Sequence, residues 1–178
     1  INEILKNHIS ISTSTFTQNK GELPFRLGLA IGILENKDRF EFALEKAIEL
    51  GITDFYPLLT EFTQRKNINT GRLKLKAIAA MKQCKRSILT SIHPIVKPKD
   101  ITIISKEFDK IILADENGEH PKKSNIISTL VLIGPEGGFS ETELQILKSI
   151  PNIISINLGN RRLRSETAAL TALASVVL

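Results

Sequence analysis

Short, wholly apolar runs alternate along this chain with longer stretches in which apolar residues recur every three or four positions. The first pattern marks strands covered on both faces, and the second marks amphipathic helices. Residues 25–31 read as a first strand. A helix beginning at Asp38 places Phe40, Leu44, Ala47 and Ile48 on one face, and Gly51 stops it. Residues 52–59 form a second strand. A helix over about residues 70–84 buries Leu73, Ala77, Met81 and Cys84 and leaves Lys74, Lys76, Lys82 and Lys85 outside. Residues 87–98 are ambiguous, with room for a short strand around Ile88 and a proline-bounded loop, and residues 100–108 hold at most a short helix. Strands are predicted at 110–114, 129–133 and 153–158, with a polar loop over 115–128 that has room for a short helix. Ser140 and Glu143 form a capping box that opens a further helix, and residues 165–178 form the last one. Strands and helices taking turns in this way predict an α/β fold with a mostly parallel sheet.

The two ends of the chain add to this. At residues 7–14 apolar and polar side chains alternate as in a half-buried strand, and residues 17–24 read as a polar linker. A lone strand cannot bury its apolar face. Residues 1–24 are therefore expected to be the remnant and linker of an N-terminal β domain, and residues 25–178 the main domain. From Ala168 onward the last helix has only Thr171 and Ser175 as polar residues. A helix without a solvent face needs cover on several sides, from the core or from a second copy of the chain.

Candidate chemistry collects at two strand-to-helix turns. Gly134-Pro135-Glu136-Gly137-Gly138 follows the strand at 129–133, and Gly159-Asn160-Arg161-Arg162-Leu163-Arg164 follows the strand at 153–158. The first has neither the Lys-Ser/Thr of a P-loop nor the spacing of a dinucleotide fingerprint. By itself it is accounted for by a tight turn into a capped helix. Two such turns at the C-terminal edge of one parallel sheet are, however, where α/β proteins build ligand sites. Three arginines before a helix N-terminus do not complement its dipole, and they suit a carboxylate or phosphate better. Glu166 complements that dipole, pairs with an arginine, or holds a ligand.

Composition narrows the field only modestly. The 178 residues carry a net charge of +5, which favours polyanionic partners without selecting one. A single cysteine, Cys84, excludes an internal disulfide framework and a zinc cluster, and suggests a reduced, cytoplasmic setting. No apolar run reaches the roughly 18 residues of a membrane span. His8, His93 and His120 are scattered and read as structural or surface residues. Lys37, Arg39, Lys46, Arg65, Lys66, Lys82, Lys85 and Arg86 form basic stretches at helix ends, either solvated or tracking RNA.

The pair "LIGPEGGFSETE" (residues 132–143) and "LGNRRLRSETAAL" (158–170) resembles the RsmE family of SPOUT-class RNA methyltransferases. So do "DRFEFALEKAIELGITDFYPLLTE" (38–61) and "AAMKQCKR" (79–86, through Gln83), and the resemblance covers about residues 25–178. It implies a parallel sheet with a C-terminal trefoil knot, and S-adenosylmethionine held by Leu113, Ile133, Gly134, Pro135, Glu136, Gly137, Leu158, Gly159, Leu163 and Arg164. It implies a homodimer through the last helix, an N-terminal PUA-like β-barrel, and methylation of uridine N3 in 16S ribosomal RNA, with no metal and no membrane. Arg164 would stabilise the developing uracil anion, with Glu166 orienting it or acting as base. Lys37, Arg39, Lys46, Arg65, Arg161 and Arg162 would contact RNA. Two positions depart from the family: Phe62 stands where arginine is frequent and Lys85 where glycine is. The alternatives are a knot methyltransferase for another RNA site, such as a ribose 2′-hydroxyl, and a non-catalytic RNA-binding ribosome-assembly factor.

Overall fold

A computed structural model of the chain describes residues 1–15, 17–120 and 127–178. Two short strands, β1 (Glu3–Ile4) and β2 (Ile9–Ser10), form an antiparallel hairpin at the N-terminus. The strand expected over 7–14 is thus reduced to two residues, with its apolar side chains in solvent.

The main body then runs β3 (Leu27–Gly32), α1 (Lys37–Glu49), β4 (Asp54–Leu58), α2 (Thr70–Gln83), β5 (Ser91–Ile92), α3 (Ile101–Ile104), β6 (Lys110–Glu119), β7 (Thr129–Ile133), α4 (Glu141–Lys148), β8 (Ile153–Ile156) and α5 (Ser165–Val177). The six strands β3 to β8 make one parallel sheet in the order β5-β4-β3-β7-β6-β8. The chain moves outward from β3 to β5, crosses to β6, and inserts β7 between β3 and β6. It then reaches the far edge at β8 before α5 returns to pack on α1 and β7.

Alternation along the strands builds two cores. Leu27, Leu29, Ile31, Val131 and Ile133 face α1, α2 and α5. Ala30, Tyr56, Ile111, Leu113, Leu130 and Leu132 face the opposite layer, with Ile101 of α3 and Leu147 of α4. Each fully buried Leu or Ile contributes about 1.5–3 kcal/mol relative to exposure, and both faces of β3 and β7 are filled in this way.

The caps are readable side by side with the sequence. Asn36 Oδ1 accepts from the N–H groups of Asp38 and Arg39 and starts α1, and Gly51 follows its end with φ +97°. Ser140 and Glu143 close the expected capping box on α4.

Three expectations need correction. β5 lies at Ser91–Ile92 rather than around Ile88, which is exposed. β6 continues to Glu119, because Glu119 pairs with Ile156 across an irregularity, so the first part of the expected loop is strand. Within the rest of that loop, residues 121–126 lie outside the described residues. Arg86 is not on a solvated face: its side chain is 2% exposed and its Nη2 lies 2.7 Å from Glu22 Oε2. Glu22 also accepts from the N–H groups of Ser87 and Ile88, so the linker's end is docked on the main domain.

Candidate active site

Two loops, after β7 and β8, meet a segment of β6 at one edge of the sheet. The first is the turn after β7. Gly138 N–H donates to the Pro135 carbonyl at 2.9 Å, closing a turn with Glu136 and Gly137 at its tip, and Gly138 has φ +73°. This turn rests on β3, where a Cβ on Gly32 would lie 2.3 Å from Pro135 N. Only glycine at position 32 allows that approach.

The second segment leaves β8 at Asn157. Its N–H donates to the Glu119 carbonyl (2.8 Å), its side-chain Nδ2 donates to the Glu116 carbonyl (2.6 Å), and its Oδ1 accepts from Gly159 N–H (2.7 Å). Residues 158–164 thereby run beside the end of β6 before Arg164 caps the start of α5. The third segment, Ala114–Glu116, is part of β6 itself, where its pairing with β8 becomes irregular.

Together they line a cleft of about 980 Å³, at the upper end of the usual range for small-molecule sites. Of the residues expected at a cofactor, Ile133, Gly134, Pro135, Glu136, Gly137, Leu158, Gly159, Leu163 and Arg164 all line it. Leu113 does not: it points into the core beneath the sheet, and its neighbour Ala114 takes the place on the cleft wall.

Arg39 joins the two turns from the side. Its Nε and Nη2 donate to the two oxygens of Glu166, both at 2.7 Å, and its Nη1 lies 3.6 Å from Glu136 Oε1. Burial works to raise the Glu166 carboxyl, but the hydrogen bonds from Arg39 outweigh it, with help from the charges of Arg39 and Arg164, and hold it below the usual range. The pair is 127 residues apart in sequence, and no spacing rule links its members. Both Glu166 oxygens accept from Arg39, so in this arrangement the carboxylate orients Arg39.

The remaining cations separate into two groups. Arg161, Arg162 and Arg164 are exposed on the cleft wall, and Arg162 Nη2 approaches the Glu136 carbonyl at 3.4 Å. Among the described residues Arg164 makes no direct side-chain bond, and its guanidinium is available to the cleft. Lys37 begins α1, exposed, two residues from Arg39. Lys46 stands at the other end of that helix, with Nζ 2.7 Å from Glu49 and 3.1 Å from Glu45. Arg65 donates to the Leu34 and Asn67 carbonyls at 3.0 and 3.1 Å and lies over the Phe40 ring, so it fastens the loop between β3 and α1. The structure therefore brings Lys37, Arg39, Arg161 and Arg162 to the cleft end of the molecule, and occupies Lys46 and Arg65 elsewhere.

Asp115 completes the electrostatics of the floor. Burial opposes its ionisation, yet Lys148 Nζ at 2.7 Å and the Asn117 N–H hold its carboxyl below the usual range.

Comparison with known proteins agrees with this architecture. A family model described as an RNA methyltransferase domain matches residues 21–177. The chain is 35% identical over 189 residues to the ribosomal RNA small subunit methyltransferase E of Rickettsia conorii, covering 99% of this chain and 73% of that protein. A crystal structure of the ribosomal RNA small subunit methyltransferase E of Neisseria gonorrhoeae, bound to S-adenosyl methionine, superposes with a TM-score of 0.74 at 27% identity. That match covers 86% of this chain and 66% of the other. The TrmH/SpoU tRNA modifying enzyme of Aquifex aeolicus shares the fold, with a TM-score of 0.57 at 15% identity over 84% of this chain and 73% of that one.

Proposed function

This chain belongs to the ribosomal RNA small subunit methyltransferase E family, and from that premise we propose that its cleft holds S-adenosylmethionine for methyl transfer to N3 of one uridine in 16S ribosomal RNA. The observation that carries the reading is the convergence of segments 114–116, 133–139 and 158–164 on one cleft with three exposed arginines on its wall. The residues present fit the cofactor. The turn after β7 leaves a cradle of backbone, since even a Cβ on Gly134 would come within 3.0 Å of Gly138 Cα. The lining offers N–H and C=O groups for a flat base and apolar contact from Ile133, Leu158 and Leu163.

When bound there, S-adenosylmethionine supplies a methyl group already activated on a sulfonium. The chain has to deprotonate uracil N3 and hold the resulting charge. Arg164, with its guanidinium uncommitted, stabilises the imide anion as it develops. With Glu166 engaged by Arg39, the N3 proton passes to water at the open mouth of the cleft. Arg161 and Arg162 hold phosphate near the entering nucleotide, which must be unstacked to reach the methyl group.

The same reading extends to the assembly. A C-terminal trefoil knot is supported by the path of the chain: residues 157–164 return from the outer strand β8, tied to Glu116 and Glu119 of β6, before α5 lies back on β7. A homodimer through α5 is supported by the half-buried Leu170, Val176 and Val177 and the exposed Leu178. The exposed apolar side chains of Ile4, Ile9 and Ile11 support assigning the β1–β2 hairpin to a PUA-like β domain, ahead of the linker at 17–24.

Labelled cofactor incubated with small subunits lacking the modification tests the proposal. The expected product is 3-methyluridine by nucleoside mass spectrometry, and Arg164→Ala should slow turnover at saturating cofactor by roughly 100- to 1,000-fold. A 2′-O-methylated product, or full activity of Arg164→Ala, would refute it.

A further inference from the structure

The wall formed by Glu136 and Gly137 has a second side. A groove of about 540 Å³ opens there, lined by Glu35, Phe62, Gln64, Glu136 and Gly137, a volume within the range of small-molecule sites. Phe62 is 43% exposed, although the turn that carries it is held firmly. Thr60 and Thr63 are buried and bonded to each other three ways: Thr60 N–H to Thr63 Oγ1 (3.0 Å), the two hydroxyls (3.0 Å), and Thr63 N–H to the Thr60 carbonyl (3.2 Å). Between them, Glu61 N–H donates at 2.8 Å to Glu143 Oε1, the capping carboxylate of α4. On the other flank a Cβ on Gly137 would lie 2.7 Å from Phe62 Cβ, so the glycine lets the turn after β7 press against this residue. A large apolar ring is thus kept partly in water at a set distance from the cleft.

The groove's chemistry differs from that of the cleft. Its own polar groups are the Glu35 carboxylate and the Gln64 amide, beside Glu136, which it shares with the cleft and which lies 3.6 Å from Arg39. Among the described residues no arginine lines the groove, whereas Arg39, Arg161, Arg162 and Arg164 join Asp115 and Glu116 in the cleft. Carboxylates repel phosphate but accept hydrogen bonds from amino and ring N–H groups. An aromatic face bordered by such acceptors matches an unstacked nucleobase, since single-stranded RNA is read by stacking and by base-edge hydrogen bonds. Because groove and cleft share Glu136 and Gly137, a base in one lies next to a nucleotide in the other.

We propose that this groove receives a nucleobase adjoining the methylated uridine, stacked on Phe62 with its amino or ring N–H edge toward Glu35 and Gln64. The proposal rests on the reading of the cleft as a site of RNA methyl transfer.

Phe62→Leu keeps an apolar contact on Gly137 and removes the aromatic face, while Phe62→Tyr keeps both. Methyl transfer is followed against the concentration of unmodified small subunits, with calorimetric cofactor affinity measured alongside. Phe62→Leu should raise KM for the subunit on the order of 5- to 100-fold, leave cofactor affinity within about twofold, and leave the salt dependence of RNA binding unchanged. Phe62→Tyr should behave as the unaltered chain. A KM for Phe62→Leu equal to that of the unaltered chain overturns the proposal, as does a Tyr variant as impaired as the Leu variant. A salt dependence shallower by about one phosphate contact in the Leu variant also overturns it. Absence of transfer by the unaltered chain overturns the reading of the cleft itself, and this proposal with it.

Discussion

Replacing Arg39 by Met should destabilise the protein more than replacing its partner Glu166 by Gln. The asymmetry follows from exposure: the Glu166 side chain is 10% exposed and that of Arg39 27%. Removing the arginine strands a carboxylate that cannot rehydrate, whereas removing the carboxylate leaves a guanidinium that reaches water. Loss of one partner from a fully buried pair costs about 3–5 kcal/mol, and loss of an exposed pair about 0–1 kcal/mol. The N-terminal dipole of α5 also compensates Glu166 by about 0.3–1 kcal/mol. Arg39→Met should therefore cost about 2 kcal/mol and lower Tm by roughly 4–8 °C, with Glu166→Gln costing about 1 kcal/mol. Urea titration of both single variants and of the Arg39→Met/Glu166→Gln double variant measures this. The double variant should recover most of the loss, because it leaves no buried charge. Acid should narrow the gap between Arg39→Met and the unaltered chain. Arg39 holds the Glu166 carboxyl below its ordinary 4.5 in the folded state. That stabilisation is complete above the unfolded value and is lost as pH falls through the folded one. A larger penalty for Glu166→Gln than for Arg39→Met, or strictly additive effects, would refute the reasoning.

Two further changes probe the frame of the site. Asp54 is held to about 2 because hydrogen bonds from Arg26, His93 and Thr53 outweigh the raising effect of burial. Against an ordinary value of 3.8, this is about 2 kcal/mol of stability, present above pH 4 and lost as the pH falls toward 2. Asp54→Asn should accordingly cost about that much at pH 7 and almost nothing at pH 2, read by thermal melts across the range. Gly32→Ala would place a Cβ 2.3 Å from Pro135 N. The turn after β7 has to shift, so stability should fall by about 1–3 kcal/mol and calorimetric cofactor affinity at least about tenfold. Unchanged affinity in that variant would separate the turn from the cofactor.

What the sequence made legible follows from the range of each interaction. The periodicity of Phe40, Leu44, Ala47 and Ile48 located the buried face of α1, and the apolar run at 129–133 located a central strand, because both patterns reflect burial within one element. The Ser140–Glu143 box was readable for the same reason. Failures occurred where a distant partner decides the outcome. The polar Asp115-Glu116-Asn117 stretch joins β6 because β8, some forty residues later, offers Ile156 beside Glu119 and Asn157 beneath it. Arg86 looked like one more surface cation until Glu22 and the Ile48 and Ile52 carbonyls surrounded it.

The site divides along the same line. Its glycine and arginine turns are local motifs, and their pairing on one sheet edge could be inferred from strand order. The clasp that holds those turns together is different in kind. Arg39 and Lys46 both belong to the basic stretches at helix ends that the sequence offers to RNA, yet they stand near opposite ends of α1. The helix rises about 1.5 Å per residue, so the seven positions between them span roughly 10 Å, which puts only Arg39 beside the cleft. A charge pattern gives the number of cations on a helix. The strand ends and carboxylates it meets determine which of those cations serves the site, and here Glu136 and Glu166 select Arg39.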